Sequence, residues 1–218
     1  MIHFFIFTFN AGQNAFISVR GANESLTPTD VEEVFSKVTS AKVMSTEMFI
    51  RTDTCLSALR AAKKRGWHTV LNPSPAISNL DPEFFSVSDC ICLNQLETRL
   101  LTGLSVTNVE EAKKASLVLM ERGCQKVIIT LGKDGAVLVT VEERKPQHIP
   151  VTPVTALDTT GAGDCFLGTL AYYLASFPSL SLKEMVHRSN QIASLSVQSP
   201  GAQLSYPWYK DLPKELLT

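Results

Sequence analysis

The chain has 218 residues, 44% of them hydrophobic, with 20 Lys and Arg against 21 Asp and Glu and a formal net charge of −1. That length and apolar content can bury a sizeable core, and one α/β domain over residues 1–218 is expected without disulfide support. The near-neutral balance gives no long-range field for nucleic acid or an anionic membrane, so neither is expected as a partner.

Ile2 to Phe9 is an apolar run. No basic residue precedes it, and eight residues cannot cross a membrane, so it reads as a buried strand rather than a signal-peptide core. Asn10-Ala11-Gly12-Gln13-Asn14 turns it into a second strand over Ala15–Val19. Thr29 followed by Glu32 has the spacing of a capping box, and Val31, Val34, Phe35 and Val38 recur at helical spacing. Next come a strand over Lys42–Ser45, an amphipathic helix over Thr52–Arg65 closed by Gly66, and a strand over Trp67–Leu71 before Asn72-Pro73-Ser74-Pro75. Lys63-Lys64-Arg65 is a solvated last turn favoured by the helix dipole.

The alternation continues with a strand over Asp89–Leu93, helices over Gln95–Leu101 and Val109–Arg122, and a strand over Lys126–Leu131. Strands separated by helices of this length imply right-handed βαβ units, a mostly parallel sheet flanked by helices, and a ligand crevice at the carboxyl ends of the strands. Five cysteines without a Cys-x-x-Cys or an even framework fit reduced thiols in an intracellular protein, with Cys90 and Cys92 on one strand face as core. His3, His68, His148 and His187 are scattered without metal-ligand spacing.

The polar motifs fall at the predicted crevice. Residues 158–170 read Asp-Thr-Thr-Gly-Ala-Gly-Asp-Cys-Phe-Leu-Gly-Thr-Leu. Gly161, Ala162 and Gly163 let backbone amides converge at a helix N-terminus, which favours an incoming phosphate. Asp164 beside them is either a general base or only a first-turn acid. Asn94-Gln95-Leu96-Glu97 reads as an N-cap with a capping-box Glu, or as an amide and a carboxylate pointing out of the crevice. Thr130-Leu131-Gly132-Lys133-Asp134-Gly135 has ordinary hairpin-turn chemistry and is not a Walker A loop, so phosphate charge must be met by amides, Mg²⁺ or other groups.

The 158–170 string resembles the C-terminal signature of the ribokinase-like, or PfkB, family of carbohydrate kinases, with Thr169 where the pattern prefers Ala or Gly. The resemblance runs from the first hairpin to Tyr206-Pro207-Trp208 and implies a ribokinase-like fold. The activity it implies is ATP-dependent phosphorylation of the primary hydroxyl of D-ribose in the cytoplasm, with a nuclear location also open. Asp164 would be the base that meets the sugar hydroxyl, with Gly161, Ala162 and Gly163 holding the phosphoryl group. Asn94 would touch phosphate oxygens and Glu97 would order Mg²⁺ through water. Thr130, Leu131, Gly132, Lys133, Asp134, Gly135, Gly163 and Asn190 would complete the ATP site. Asp158, Thr160, Ser196, Ser199, Gly201 and Ser205 match positions that supply oxygens to K⁺, although from the residues alone Asp158 reads as a turn cap and the serines as surface hydroxyls.

Members of the family carry, before the segment that matches Met1, a region with a Gly-Gly-x-Gly-x-Asn stretch and an early Asp that hold the sugar. An N-terminally truncated fold with an incomplete β lid, an open sheet edge and weak ribose phosphorylation is therefore expected. Phe49 stands where the family has a sugar-contacting Glu; Glu47 lies two residues away, which along a strand is the same face. A related kinase for another sugar or nucleoside, a non-catalytic nucleotide-binding isoform, a homodimer and pairing with a full-length subunit all stay open. The tyrosines of Tyr172-Tyr173 and Tyr206-Pro207-Trp208-Tyr209 read as packing groups.

Overall fold

The computed structural model describes residues 3–8 and 14–217, with side chains from Val19 onward. The chain opens with an antiparallel hairpin of β1 (His3–Thr8) and β2 (Asn14–Val19), in register from His3 opposite Val19 to Thr8 opposite Asn14. The turn predicted between them falls mostly outside the described residues, as does the expected burial of the first strand's side chains.

Helix α1 (Pro28–Lys37) begins two residues earlier than Thr29 and Glu32 imply. Thr27 is the N-cap: its hydroxyl accepts from the Asp30 amide, while Asp30 accepts from the Thr27 amide at 2.8 Å. Pro28 sets this start, because its fixed φ suits the first helical position and its missing N–H costs nothing there.

The main sheet has the order β3 (Val43–Glu47), β4 (His68–Asn72), β5 (Cys90–Asn94), β6 (Lys126–Thr130), β7 (Ala136–Thr140), β8 (Gln147–Ile149). The first four strands are parallel, and β7 and β8 add antiparallel pairs at one side. The expected α/β architecture is therefore present, with an antiparallel extension that the alternation of strands and helices did not signal. Among the described residues β3 has no neighbour on its outer side.

Helices cover both faces: α2 (Thr52–Lys64), the short α3 (Glu83–Val87), α4 (Gln95–Thr102) and α5 (Val109–Glu121) on one, α6 (Ala162–Ser176) and α7 (Leu182–Ser196) on the other. Period-two alternation divides β5 between the two cores. Ile91 and Leu93 pack with Leu59, Leu71 and Leu119, whereas Cys90 and Cys92 pack with Phe166, Leu170 and Val186. All five cysteines are free and buried, which fits their role as core. The segment before α6 is not a strand: residues 150–157 run without regular structure, and Pro150 and Pro153 have no N–H to give a ladder. Among the described residues, no helix is long and apolar enough to cross a membrane.

Candidate functional site

The parallel strands end side by side on polar residues. Glu47 closes β3 in register with Asn72 of β4, and Asn94 closes β5 in register with Thr130 of β6. Helix α6 packs against β3 and brings Asp164, in its first turn, to this row. Glu47 lies within hydrogen-bonding reach of Asp164, and Glu97 is close enough for its charge to act on both. The predicted crevice at the strand ends is thus where the acidic groups collect.

Glu97 does not point outward as the spacing implied. It is 5% exposed and turned back, accepting from the Asn94 amide at 2.9 Å, the Asn94 side chain at 2.9 Å and the Asn72 side chain at 3.1 Å. The Asn94 oxygen in turn accepts from the Glu97 amide, which completes a capping box for α4. Burial pushes the Glu97 carboxyl above its ordinary range, against the opposing pull of the bonds from Asn94, Ser74 and Asn72. One hydrogen of the Asn94 side-chain amide is used by Glu97, leaving the second to donate elsewhere.

The glycine turn opens α6. Gly161 is the N-cap at φ 77°, with no side-chain cap. The Ala162 amide donates to the Thr159 carbonyl and the Cys165 amide to the Gly161 carbonyl, while the Gly163 amide has no partner among the described residues. A Cβ at Gly163 would meet nothing within 4 Å, so the turn is open on the side where a side chain would stand. A phosphoryl oxygen fits such a place, where the helix dipole favours negative charge. Thr169, the departure from the family pattern, satisfies its hydroxyl on the Cys165 carbonyl at 2.8 Å and leaves the turn untouched.

Tyr206 is the site residue that sequence reasoning assigned to packing alone. It does pack on the α6 and α7 core, and its hydroxyl also donates to the Gly161 carbonyl at 3.1 Å. Burial, with the negative charges of Asp164 and Glu47 nearby, pushes that phenol up to about 12. Tyr206 therefore stays neutral and a donor at any ordinary pH.

The 130–135 segment is the turn between β6 and β7, closed by the Leu131 amide on the Gly135 carbonyl at 2.7 Å, with a 3₁₀ turn over Gly132–Asp134 exposing Lys133 and Asp134. Thr130 donates to the Leu93 carbonyl, tying the turn to β5. Asn190 of α7 is buried and donates to the Ile149 carbonyl at 3.2 Å, while the Asp134 carbonyl pairs with His148 at 2.7 Å. These contacts bring Asp134 and Asn190 to β8 and Thr130 to β5.

Asp158 joins the two segments proposed for a monovalent ion. One carboxylate oxygen accepts from the Thr160 amide at 2.9 Å and the other from the Gly201 amide at 2.9 Å; a bond from the Thr160 side chain, with these two, holds the carboxyl below its usual range. The Val197 carbonyl accepts from the amides of both Leu157 and Asp158. Ser196 and Ser205 are buried with hydroxyls donating to the carbonyls of Ala193 and Ala202, and Ser199 is exposed, its amide on the Ser196 carbonyl. Asp158 is a turn cap, as its residue type alone implied, and the two buried serines are not surface hydroxyls.

Phe49 is not on the strand. β3 ends at Glu47 and the chain turns over Met48 and Phe49, so the same-face argument stops one residue past Glu47. Asn72, which bonds Glu97, was visible in the sequence only as a strand exit.

A row of polar residues at the ends of parallel strands, with a helix N-terminus that carries a carboxylate packed beside it, defines an α/β protein with its candidate site at the carboxyl edge of the sheet. The chain belongs to the pfkB family of carbohydrate kinases, whose model matches residues 3–209. It is 48% identical over 207 residues to ribokinase from Mus musculus, covering 95% of this chain and 64% of that protein. It is 30% identical over 202 residues to deoxyribokinase from Salmonella typhi, covering 93% of this chain and 65% of that one. Among solved structures, ribokinase from Arabidopsis thaliana complexed with ribose and ATP aligns with a TM-score of 0.83 at 27% identity, over 99% of this chain and 69% of that chain. The chain thus spans a little under two thirds of the two curated relatives.

Proposed function

We propose that this chain, as one domain over residues 1–218, serves ATP-dependent phosphorylation of D-ribose at its 5-hydroxyl, giving D-ribose 5-phosphate. The observation that carries the reading is the open Gly163 amide at the start of α6 with Asp164 in the same turn, in a chain 48% identical to a ribokinase. Asp164 accepts the proton of the attacking hydroxyl. The Gly163 amide and the α6 N-terminus hold the negative charge of the transferring group. The ATP phosphates lie against the free hydrogen of Asn94, and the nucleotide runs along the Thr130–Gly135 turn toward Asn190.

No cluster of three metal-binding side chains is present among the described residues, and the Glu97 carboxylate is engaged by donors from Asn94, Asn72 and Ser74. That donor set fits a magnesium ion that keeps its waters and arrives on the nucleotide, with Glu97 and Asn94 behind the water shell. When bound, the ion supplies charge neutralisation at the phosphate oxygens. A coupled assay of ADP release by the purified 218-residue polypeptide, with product identification, tests the reading. ADP release should depend on ribose and exceed that with 2-deoxyribose. The KM for ribose should be raised, since Phe49 offers no acidic contact and one lost hydroxyl bond forfeits about 0.5–1.5 kcal/mol. ADP release indifferent to sugar would remove the assignment.

The K⁺ proposal rests on Asp158, whose carboxylate ties residues 158–160 to Gly201. K⁺ should raise the melting temperature of the wild-type chain, because an ion that binds only the folded state stabilises it by mass action. Asp158→Ala should lose that response together with several-fold of activity. An equal response to K⁺ in both proteins would contradict the site.

A further inference from the structure

Glu47 has no part in the proton transfer described above, yet it ends β3 against the first turn of α6 with its side chain within hydrogen-bonding reach of Asp164. Two carboxylates in such a contact repel one another while both are charged, and a proton between them turns the repulsion into a hydrogen bond. We propose that Glu47 is a positioning residue for the phosphoryl-transfer reaction, holding the proton of a shared carboxyl pair and donating it to the Asp164 carboxylate.

The surroundings favour the proton on Glu47. The groups that act on it are Asp164 from α6 and Glu97 from α4, both acidic, with no Lys, Arg or His among them. Asn72, its register partner on β4, gives its amide hydrogens to Glu97 and to the Cys92 carbonyl. Tyr206 faces the pair as a neutral phenol that bonds the Gly161 carbonyl, and the Cys55 thiol of α2 reaches the Glu47 backbone carbonyl. Burial, reinforced by the Asp164 charge, pushes the Glu47 carboxyl up to about 7.

In the paired state Glu47 is the neutral acid and Asp164 the anion. The Glu47 hydrogen occupies one lone pair of Asp164 and fixes its plane, leaving the other oxygen for the attacking hydroxyl. During transfer the substrate proton goes to Asp164, and the Glu47 proton stays where it is. When Glu47 ionises, the orienting bond is lost and a second negative charge faces the incoming phosphate. Activity should therefore fall as pH rises through the Glu47 titration.

The inference deepens the kinase reading, and its test separates the two. Side-chain carboxyl ¹³C NMR on the 218-residue polypeptide should show Glu47 titrating near pH 7, with the Asp164 resonance registering the same step. Asp164→Asn should move the Glu47 titration downward, and Glu47→Gln should abolish the step at Asp164. Glu47 titrating in the ordinary carboxyl range, or an Asp164 resonance blind to it, overturns the proposal. In kinetics, wild-type kcat/KM for ribose should decline about tenfold per pH unit on the alkaline side, and Glu47→Gln, whose amide keeps the donor, should flatten that limb. Persistence of the limb in Glu47→Gln also overturns it. A chain without ribose-dependent turnover but with the coupled NMR titration refutes the kinase reading and supports the carboxyl pair.

Discussion

Asp164→Asn is expected to lower kcat for ribose phosphorylation by about 10²–10⁴, equivalent to about 2.7–5.5 kcal/mol of transition-state stabilisation, while ATP affinity holds. Asn keeps the shape of Asp164 and its place in the first turn of α6, but its amide cannot take the proton of the attacking hydroxyl. The residues proposed for the nucleotide, Gly163 apart, sit elsewhere, on the α4 capping box, the turn from Thr130 to Gly135 and α7. Steady-state kinetics with ribose, together with ATP calorimetry, checks both halves of the expectation. A kcat near the wild-type value would deny Asp164 the role of base, and lost ATP binding would mean that the carboxylate supports the fold of the turn instead.

Asp164 was legible because its signal is local: three small residues and an acid within one helical turn need no tertiary information. The parallel sheet was legible for a similar reason, since the alternation of short apolar runs with amphipathic helices leaves few topologies. What the sequence hid is contact between segments far apart along the chain. Glu47 meets Asp164 because β3 runs two residues beyond Ser45, its predicted end, and α6 packs against it. Tyr206 reaches the Gly161 carbonyl from the C-terminal segment, and no periodicity marks a single hydroxyl. Asn94 and Glu97 show the reverse case. The capping-box reading and the ligand reading were posed as rivals, yet the structure forms the box in full at the row of strand ends. The cap is what orders these two side chains there. The Thr29 and Glu32 pair failed because Thr27-Pro28 starts the helix earlier, a competition between two N-cap candidates that Pro decides.

Gly161 and Gly163 stand two residues apart and should respond to alanine in opposite ways. Gly161 has φ 77°, and a Cβ there would come within 2.5 Å of the Tyr206 hydroxyl and 3.2 Å of the Ala202 Cα. An L-residue in this left-handed conformation costs roughly 1–2 kcal/mol. Displacing Tyr206 from the Gly161 carbonyl adds about 0.5–1.5 kcal/mol. Gly161→Ala should therefore destabilise the chain by about 1.5–3.5 kcal/mol and lower its melting temperature by roughly 3–14 °C. Gly163 lies inside the helix with open space where its Cβ would go. Gly163→Ala should leave the melting temperature unchanged or raise it, since alanine loses less backbone entropy in a helix, by about 0.4–1 kcal/mol. Its methyl group would nonetheless fill open space in the turn that carries the unpaired Gly163 amide, so phosphoryl transfer should fall by at least tenfold, or about 1.4 kcal/mol. Differential scanning fluorimetry and the ADP-release assay on the two variants separate the effects. A Gly163→Ala protein with full activity would show that no phosphoryl oxygen visits that amide, and a Gly161→Ala protein of wild-type stability would show that Tyr206 does not brace the turn.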